Sequence, residues 1–263
     1  MTNQTGVYKA QTKDGKTYFR SSITYKGKHI SLGSFDDEAM ASTAYLKADE
    51  ILHSACGITE YDSFDILDFK KYVMLVNFRD NNIYIKTPIY LGKKNFLYYL
   101  GREDVLKFDV DDLFYYSNHS IMRRGNHLFV ANFGMQENIL SRYGIMPHSV
   151  CGRDYFFANG DNTDFTYANI IIKNKYHGVF HIVKNGRDLY KVKIHIKGDY
   201  VVGTYRTEEE AAIAYNKAAD TLRQNGLKKS FPENYPESLT AIAYASIYNS
   251  VRISKKISNY RPD

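Results

Sequence analysis

Hydrophobic and polar positions along this chain change period several times, and each change marks an element. From Lys191 to Ile196 polar and apolar residues alternate (Lys191, Val192, Lys193, Ile194, His195, Ile196), which predicts a strand with one wet face and one buried face. The period then lengthens, and Ala211, Ala214, Tyr215, Ala218 and Leu222 recur at helical spacing. Thr207, followed three residues later by Glu210, predicts a capping box at the start of that helix, and Gly226 predicts its stop. Because several inward positions are alanines, the helix can lie close to the sheet. Residues 236–250 read as a further helix with Leu239, Ile242, Ala243, Ile247 and Val251 on one face.

The same grammar occurs near the N-terminus. Residues 6–52 and 178–222 are two copies of one pattern, aligned without a gap from Gly33 against Gly203 to Leu52 against Leu222. Glu38, Ala41, Ala44, Tyr45, Lys47, Ala48 and Leu52 recur as Glu208, Ala211, Ala214, Tyr215, Lys217, Ala218 and Leu222. Each copy predicts three short strands, separated by polar turns such as KDGK and KNGR, and then a helix, with Gly57 as the stop of the first. Tyr45 and Tyr215 fall on the buried helix face. A three-stranded sheet backed by one helix leaves its other face free. The predicted class is therefore α+β. Two sheet-plus-helix modules, at 1–57 and 173–263, flank a mixed, strand-rich middle domain at 58–172. In the middle, KYVMLVNF, NNIYIKTPIYL and HLFVANF carry strand character.

Composition narrows the class. The 263 residues are 44% apolar and 24% charged, which excludes disorder as the main state. A net charge of +6 favours a polyanionic partner. Cys56 and Cys151 form no CxxC pair, which points to a reduced intracellular protein without structural zinc. The polar first sixteen residues lack the apolar core of a signal peptide, and no apolar run approaches the roughly 20 residues of a membrane span. The expected location is the cytoplasm, in association with the nucleoid, with no membrane partner and no cofactor.

Three features of the copies are specific enough to name a family. They open on Gly6-Val7 and Gly178-Val179, and carry an aromatic in the second strand, Phe19 and Tyr190. A Gly followed by an aromatic precedes the helix, in Gly33-Ser34-Phe35 and Gly203-Thr204-Tyr205. With the helix pattern EEAAIAYNKAA, the modules resemble the AP2 (ERF-type) DNA-binding domain. The resemblance implies a sheet laid in the major groove, with strand residues reaching bases and phosphates. Two positions depart from the family. Phe19 and Tyr190 stand at its tryptophans, and Tyr8-Lys9-Ala10 and Phe180-His181-Ile182 replace an arginine-rich first strand.

Residues 153–170 resemble the core of an HNH endonuclease of the kind fused to AP2 domains in phages and mobile elements. Asn159, Gly160, Asp161, Asp164 and Asn169 match its pattern. Phe157 stands at the general-base histidine, Phe156 at the preceding acid, and Phe165 and Thr166 at the Asn-Arg pair. Such a site needs a histidine to activate water and ligands for a metal, and phenylalanine supplies neither. The expectation is a nuclease-derived scaffold without catalytic residues or a metal. His119, His127 and His148 have the spacing of no usual ligand set. Asp161 and Asp164 read as acids capping their own turn.

The expected function is sequence-specific binding of double-stranded DNA, as a bacterial or mobile-element transcription regulator reading a bipartite site. The chain is not expected to be an enzyme. Lys191, Lys193 and His195 are the leading contacts, and Arg20, Ser22 and Thr24 occupy the matching face of the first copy. Lys9, Lys26, His181, Lys184 and Lys197 are candidates for phosphates. One competing reading is an HNH-type homing endonuclease with a displaced catalytic histidine such as His148. Another is a protein partner bound through the acidic middle (Asp62, Asp65, Asp68, Asp109, Asp111, Asp112).

Overall fold

Both copies of the repeat fold into the same arrangement, within an α+β chain that divides into two compact units. The computed structural model describes residues 5–63 and 65–262. One unit comprises residues 1–139 and 161–169, the other residues 140–160 and 170–263.

The first unit opens with β1 (Val7–Gln11), β2 (Thr17–Tyr25) and β3 (Lys28–Phe35), an antiparallel sheet in that order, followed by helix α1 (Glu38–His53). Lys26 and Gly27 both have positive φ, so β2 and β3 join through a two-residue turn whose twist matches the strands. Asp37 caps α1 by accepting from the Met40 amide at 2.8 Å. Ala41, Ala44 and Ala48 are fully buried, and their small side chains bring the helix close to the sheet. The helix ends at His53 with Ser54 as cap, so Gly57 is not its stop.

Next comes α2 (Phe69–Asn81), which contains the run KYVMLVNF. The run is a buried helix, not the expected strand. Tyr72 to Phe78 are all buried, so the continuous apolar stretch carries no periodicity. The local signals are terminal: Asp68 accepts from the Lys71 amide at 2.6 Å, and Asn82 closes the helix at φ 60°. Ile51 and Leu52 of α1 share one core with Tyr72, Leu75, Val76 and Phe78, so the division expected after residue 57 falls inside a compact unit. Two further three-stranded sheets follow, β4 (Ile89–Leu91), β5 (Asn95–Tyr99) and β6 (Val105–Asp109), then, after the short α3 (Leu113–Asn118), β7 (Ile121–Arg124), β8 (His127–Asn132) and β9 (Met135–Asn138). HLFVANF lies over β8, whereas NNIYIKTPIYL is extended only at its end, in β4.

The second unit holds the short pair β10 (Tyr155–Phe157) and β11 (Ile170–Ile172), then β12 (Val179–Lys184), β13 (Arg187–His195) and β14 (Asp199–Tyr205), and helix α4 (Glu208–Gln224). Asn185 and Gly186 form the two-residue turn between β12 and β13. Thr207 caps α4 through the Glu210 amide at 3.1 Å, but Glu210 reaches back to the Arg206 amide, so only half of the expected box forms. Gly226, at φ +95°, follows the cap residue Asn225 and stops the helix as expected. Helix α5 (Ala241–Ser250) starts later than the pattern predicted, because Thr240 is its cap. Ile242, expected on the inward face, is 85% exposed. The short α6 (Lys255–Ser258) packs Ile257 into the core beneath α4. Among the described residues no helix is long and apolar enough to cross a membrane.

The opening glycine of each copy is dictated by close approach. Gly178 sits at φ +70°, and a β-carbon there would lie 2.5 Å from the Lys193 carbonyl oxygen and 2.6 Å from the Tyr215 ring. Gly6 meets Tyr45 and the Ser22 carbonyl in the same way. Its own carbonyl accepts from the Ser22 amide at 2.9 Å, as that of Gly178 does from Lys193. The repeated Gly and Tyr are thus one contact between strand entry and helix.

Candidate nucleic-acid interface

Strand alternation and register decide which side chains each sheet presents away from its helix. In β13, Val192 and Ile194 are buried toward α4, so Lys191, Lys193 and His195 share the opposite face, as the alternation predicted. Across the sheet, Lys191 pairs with Phe180 and Thr204, Lys193 with Val201, and His195 with Asp199. One extra residue, Val202, interrupts β14 between those pairings. In β2, Ser21 and Ile23 are buried toward α1, and Arg20, Ser22 and Thr24 lie on the opposite face. Arg20 pairs with Tyr8 and Ser34, Ser22 with Ser31, and Thr24 with His29, with the same interruption at Leu32.

The chemistry of the two faces differs. Lys191 has no acidic partner among the described residues. Asp199, which no alternation pattern marks, stands between Lys193 and His195, 2.9 Å from His195 Nδ1 and 3.8 Å from Lys193 Nζ. The hydrogen bond from His195, with the charge of Lys193 beside it, holds the Asp199 carboxyl below its ordinary range. The Lys193 ammonium also lies 5.7 Å from the Phe180 ring centroid. In the first module Arg20 donates from Nη2 to the Tyr18 hydroxyl at 2.6 Å and from Nε at 3.1 Å. Thr24 Oγ1 is 3.4 Å from His29 Nδ1. Ser22, in register with Ser31, is 8% exposed and so the least open of the three positions expected on this face.

Three of the expected phosphate contacts are placed otherwise. Lys26 is tied to the end of α2 by hydrogen bonds to Asn82 Oδ1 and the Arg79 carbonyl. His181 and Lys9 fall on the helix side of their sheets, in register with Tyr190 and Phe19. His181 pairs there with Asp188 at 2.7 Å. Lys197 is exposed in the turn after β13, and Lys184 beside the turn before it. The fold joins Lys184 to Arg187 and Arg206 around an open concavity of about 690 Å³. Neither arginine has an acidic side-chain partner among the described residues. Their separation in sequence hid this grouping, although the tight turn would have brought Lys184 and Arg187 together.

Residues 161–169 are held by their own hydrogen bonds and by a core contact. Asp161 accepts from the Thr163 amide at 2.8 Å and hydroxyl at 2.7 Å, the self-capped turn that was expected. Asp164, 5% exposed, pairs with Lys107 at 2.9 Å and accepts from the Thr166 amide and hydroxyl. Asn169 donates to the carbonyls of Asp161 and Asp164. Phe165 stacks on Phe108 in the core. His148 packs edge-on against His177 with ring centroids 4.7 Å apart, and its Nε2 is buried without a hydrogen-bond partner among the described residues. Burial holds both imidazoles below their ordinary pKa, His177 at about 4. Among the described residues no three His, Cys, Asp or Glu side chains form a group able to hold a metal ion. In the acidic middle, Asp65 pairs with Lys47, Asp68 caps α2, and Asp109 accepts from the Tyr167 amide. No protein-family model matches this chain, and neither a curated protein nor a solved structure matches it.

Proposed function

We propose that the chain binds double-stranded DNA through the uncovered faces of its two repeated sheets, and that it acts as a nucleoid-associated transcription regulator of the AP2 type. One observation carries the reading. Both copies hold a cation at the same point of the middle strand, Arg20 and Lys191, flanked by an aromatic on one neighbouring strand (Tyr8, Phe180) and a hydroxyl on the other (Ser34, Thr204). A small sheet fits the major groove, and a central cation with hydroxyl and aromatic neighbours can meet both phosphates and base edges. Lys184, Arg187 and Arg206 add positive charge beside the second face. Two related faces on one chain read two related half-sites, and joining them raises affinity over one alone by about 10² or more when spacing fits.

The test is a mobility shift of the full chain on duplex pools over a salt series. Contact with roughly six phosphates lowers affinity by about 10³ between 50 and 200 mM salt. Salt-independent binding, or none, removes the proposal. Incubating the same samples with plasmid and Mg²⁺ or Mn²⁺ reports strand cleavage, and nicking abolished by His148→Ala would favour an endonuclease instead.

A further inference from the structure

The second unit contains an open cavity of about 680 Å³ away from the uncovered sheet face, at the start of α4. Its apolar lining is Phe156, paired across the strands with Ile171, together with Ile172 and Tyr190; Ile171 and Ile172 are 51% and 40% exposed. Lys173 and Lys175 also line it, both exposed and neither in an ion pair within 4 Å among the described residues, although the charge of Lys175 is felt by Glu208. The Lys173 ammonium is 5.9 Å from the centroid of the Phe156 ring, so charge and apolar wall adjoin. The carboxylate of the cavity is Glu208. Its Oε1 accepts weakly from the Lys175 amide at 3.3 Å, and its Oε2 has no partner among the described residues. Burial pushes the Glu208 carboxyl above its ordinary pKa, opposed by that amide. A partly buried carboxylate with open lone pairs, apolar side chains and two cations thus face one cavity of ligand size.

These groups match the parts of one kind of molecule. The apolar wall takes a planar ring, and the lysines take a phosphate. An ionised carboxylate can only accept hydrogen bonds, so it selects a ring edge made of donors. Guanine presents two adjacent donors, N1–H and the 2-amino group, to such an edge. Adenine presents a donor beside an acceptor, whose lone pair would face the carboxylate. We propose that this cavity binds a guanine nucleotide unit, with its base against Phe156 and Tyr190, its donor edge on Glu208 and its phosphate at Lys173 and Lys175. The unit can be a free mononucleotide or an unpaired terminal nucleotide of DNA, since both carry this chemistry. The site is separate from the sheet faces and does not depend on the duplex-binding proposal.

The experiment is calorimetric titration of the full chain at low salt with GMP, AMP, guanosine and inorganic phosphate. GMP is expected to bind with a dissociation constant on the order of 10⁻⁴ M, about tenfold tighter than AMP. Glu208→Gln brings GMP to the level of AMP. Lys173→Ala combined with Lys175→Ala, at two exposed positions that do not test the helix, weakens GMP by about tenfold but leaves guanosine within about twofold. A duplex with one unpaired terminal dG that binds tighter than its blunt counterpart, with the difference lost in Glu208→Gln, assigns the unit to DNA. GMP binding without that difference assigns it to the free nucleotide. Absence of GMP binding, GMP binding unchanged by Glu208→Gln, or phosphate binding as tightly as GMP overturns the proposal. Affinity for the blunt duplex, read in parallel, reports on the sheet faces alone.

Discussion

The two modules share one frame and differ in what fills it. Gly6 and Gly178, the alanine stripes of α1 and α4, and the interruptions at Leu32 and Val202 occupy equivalent places. On that frame Tyr215 is 1% exposed while Tyr45 is half-buried, Val192 faces α4 where Ser21 faces α1, and Asp199 stands where the first copy has His29. The tight two-residue turn has also changed places, joining the second and third strands in the first copy and the first and second in the other. The comparison separates positions set by backbone contact, which are kept, from positions set by side-chain chemistry, which vary.

The largest effect is expected at the shared glycine. Gly178→Ala places a methyl against the Lys193 carbonyl and a fully enclosed tyrosine, at a φ that alanine avoids. It should destabilise the second unit by about 3 kcal/mol or more. Gly6→Ala meets the same carbonyl geometry, but the half-buried Tyr45 can swing aside, so about 2 kcal/mol is expected. Urea unfolding followed by NMR of each unit measures both, and equal losses would show that the tyrosines do not set the difference.

Acid should distinguish the copies next. His177 precedes Gly178, whereas Thr5 precedes Gly6. Burial, with the nearby charges of His148 and Arg153 acting against Asp154, lowers the His177 pKa from 6.5 to about 4. Between those values the unfolded chain binds the proton and the folded chain does not, so stability falls as pH drops through that window. The ring is only partly enclosed, so the loss is about 1–2 kcal/mol after screening. Hydrogen exchange of the Lys193 amide, compared with that of Ser22, should show the loss in the second module. His177→Thr should flatten it, and an unchanged pH profile in that variant would assign the effect elsewhere.

A smaller effect tests the buried strand face. Ser21 is 1% exposed and its hydroxyl has no hydrogen-bond partner among the described residues, while Val192 fills the equivalent position. Ser21→Val should stabilise the first module by about 1 kcal/mol, and Val192→Ser should destabilise the second by more. A neutral Ser21→Val in chemical denaturation would mean that the hydroxyl finds a partner.

The smallest effects concern the exposed faces. Asp199→Asn frees Lys193 and His195 and should tighten duplex binding by about two- to threefold, less so at high salt. Lys191→Ala should weaken binding of all sequences and lower the salt slope by about one unit, more than Arg20→Ala, whose guanidinium is already held by Tyr18. If Arg20→Ala proves the more damaging, the first module is the principal reader.

Local pattern alone carries the repeat, the α+β class, the inward faces of α1 and α4, and the outward set Lys191, Lys193 and His195; it misplaces Ile242 of α5. Periods of two and 3.6 residues and side-chain caps are local properties that the chain carries wherever it folds. It could not determine that KYVMLVNF is a helix, because a segment buried on every side shows no period. It could not show that Ser22 is covered, that Lys26 is bound to the end of α2, or that Asp199 sits beside Lys193 and His195. Nor could it gather Glu208, Phe156, Tyr190 and the two lysines into one cavity. Strand register, turn type and packing between distant segments fix these contacts, and none of the three is written in a local pattern.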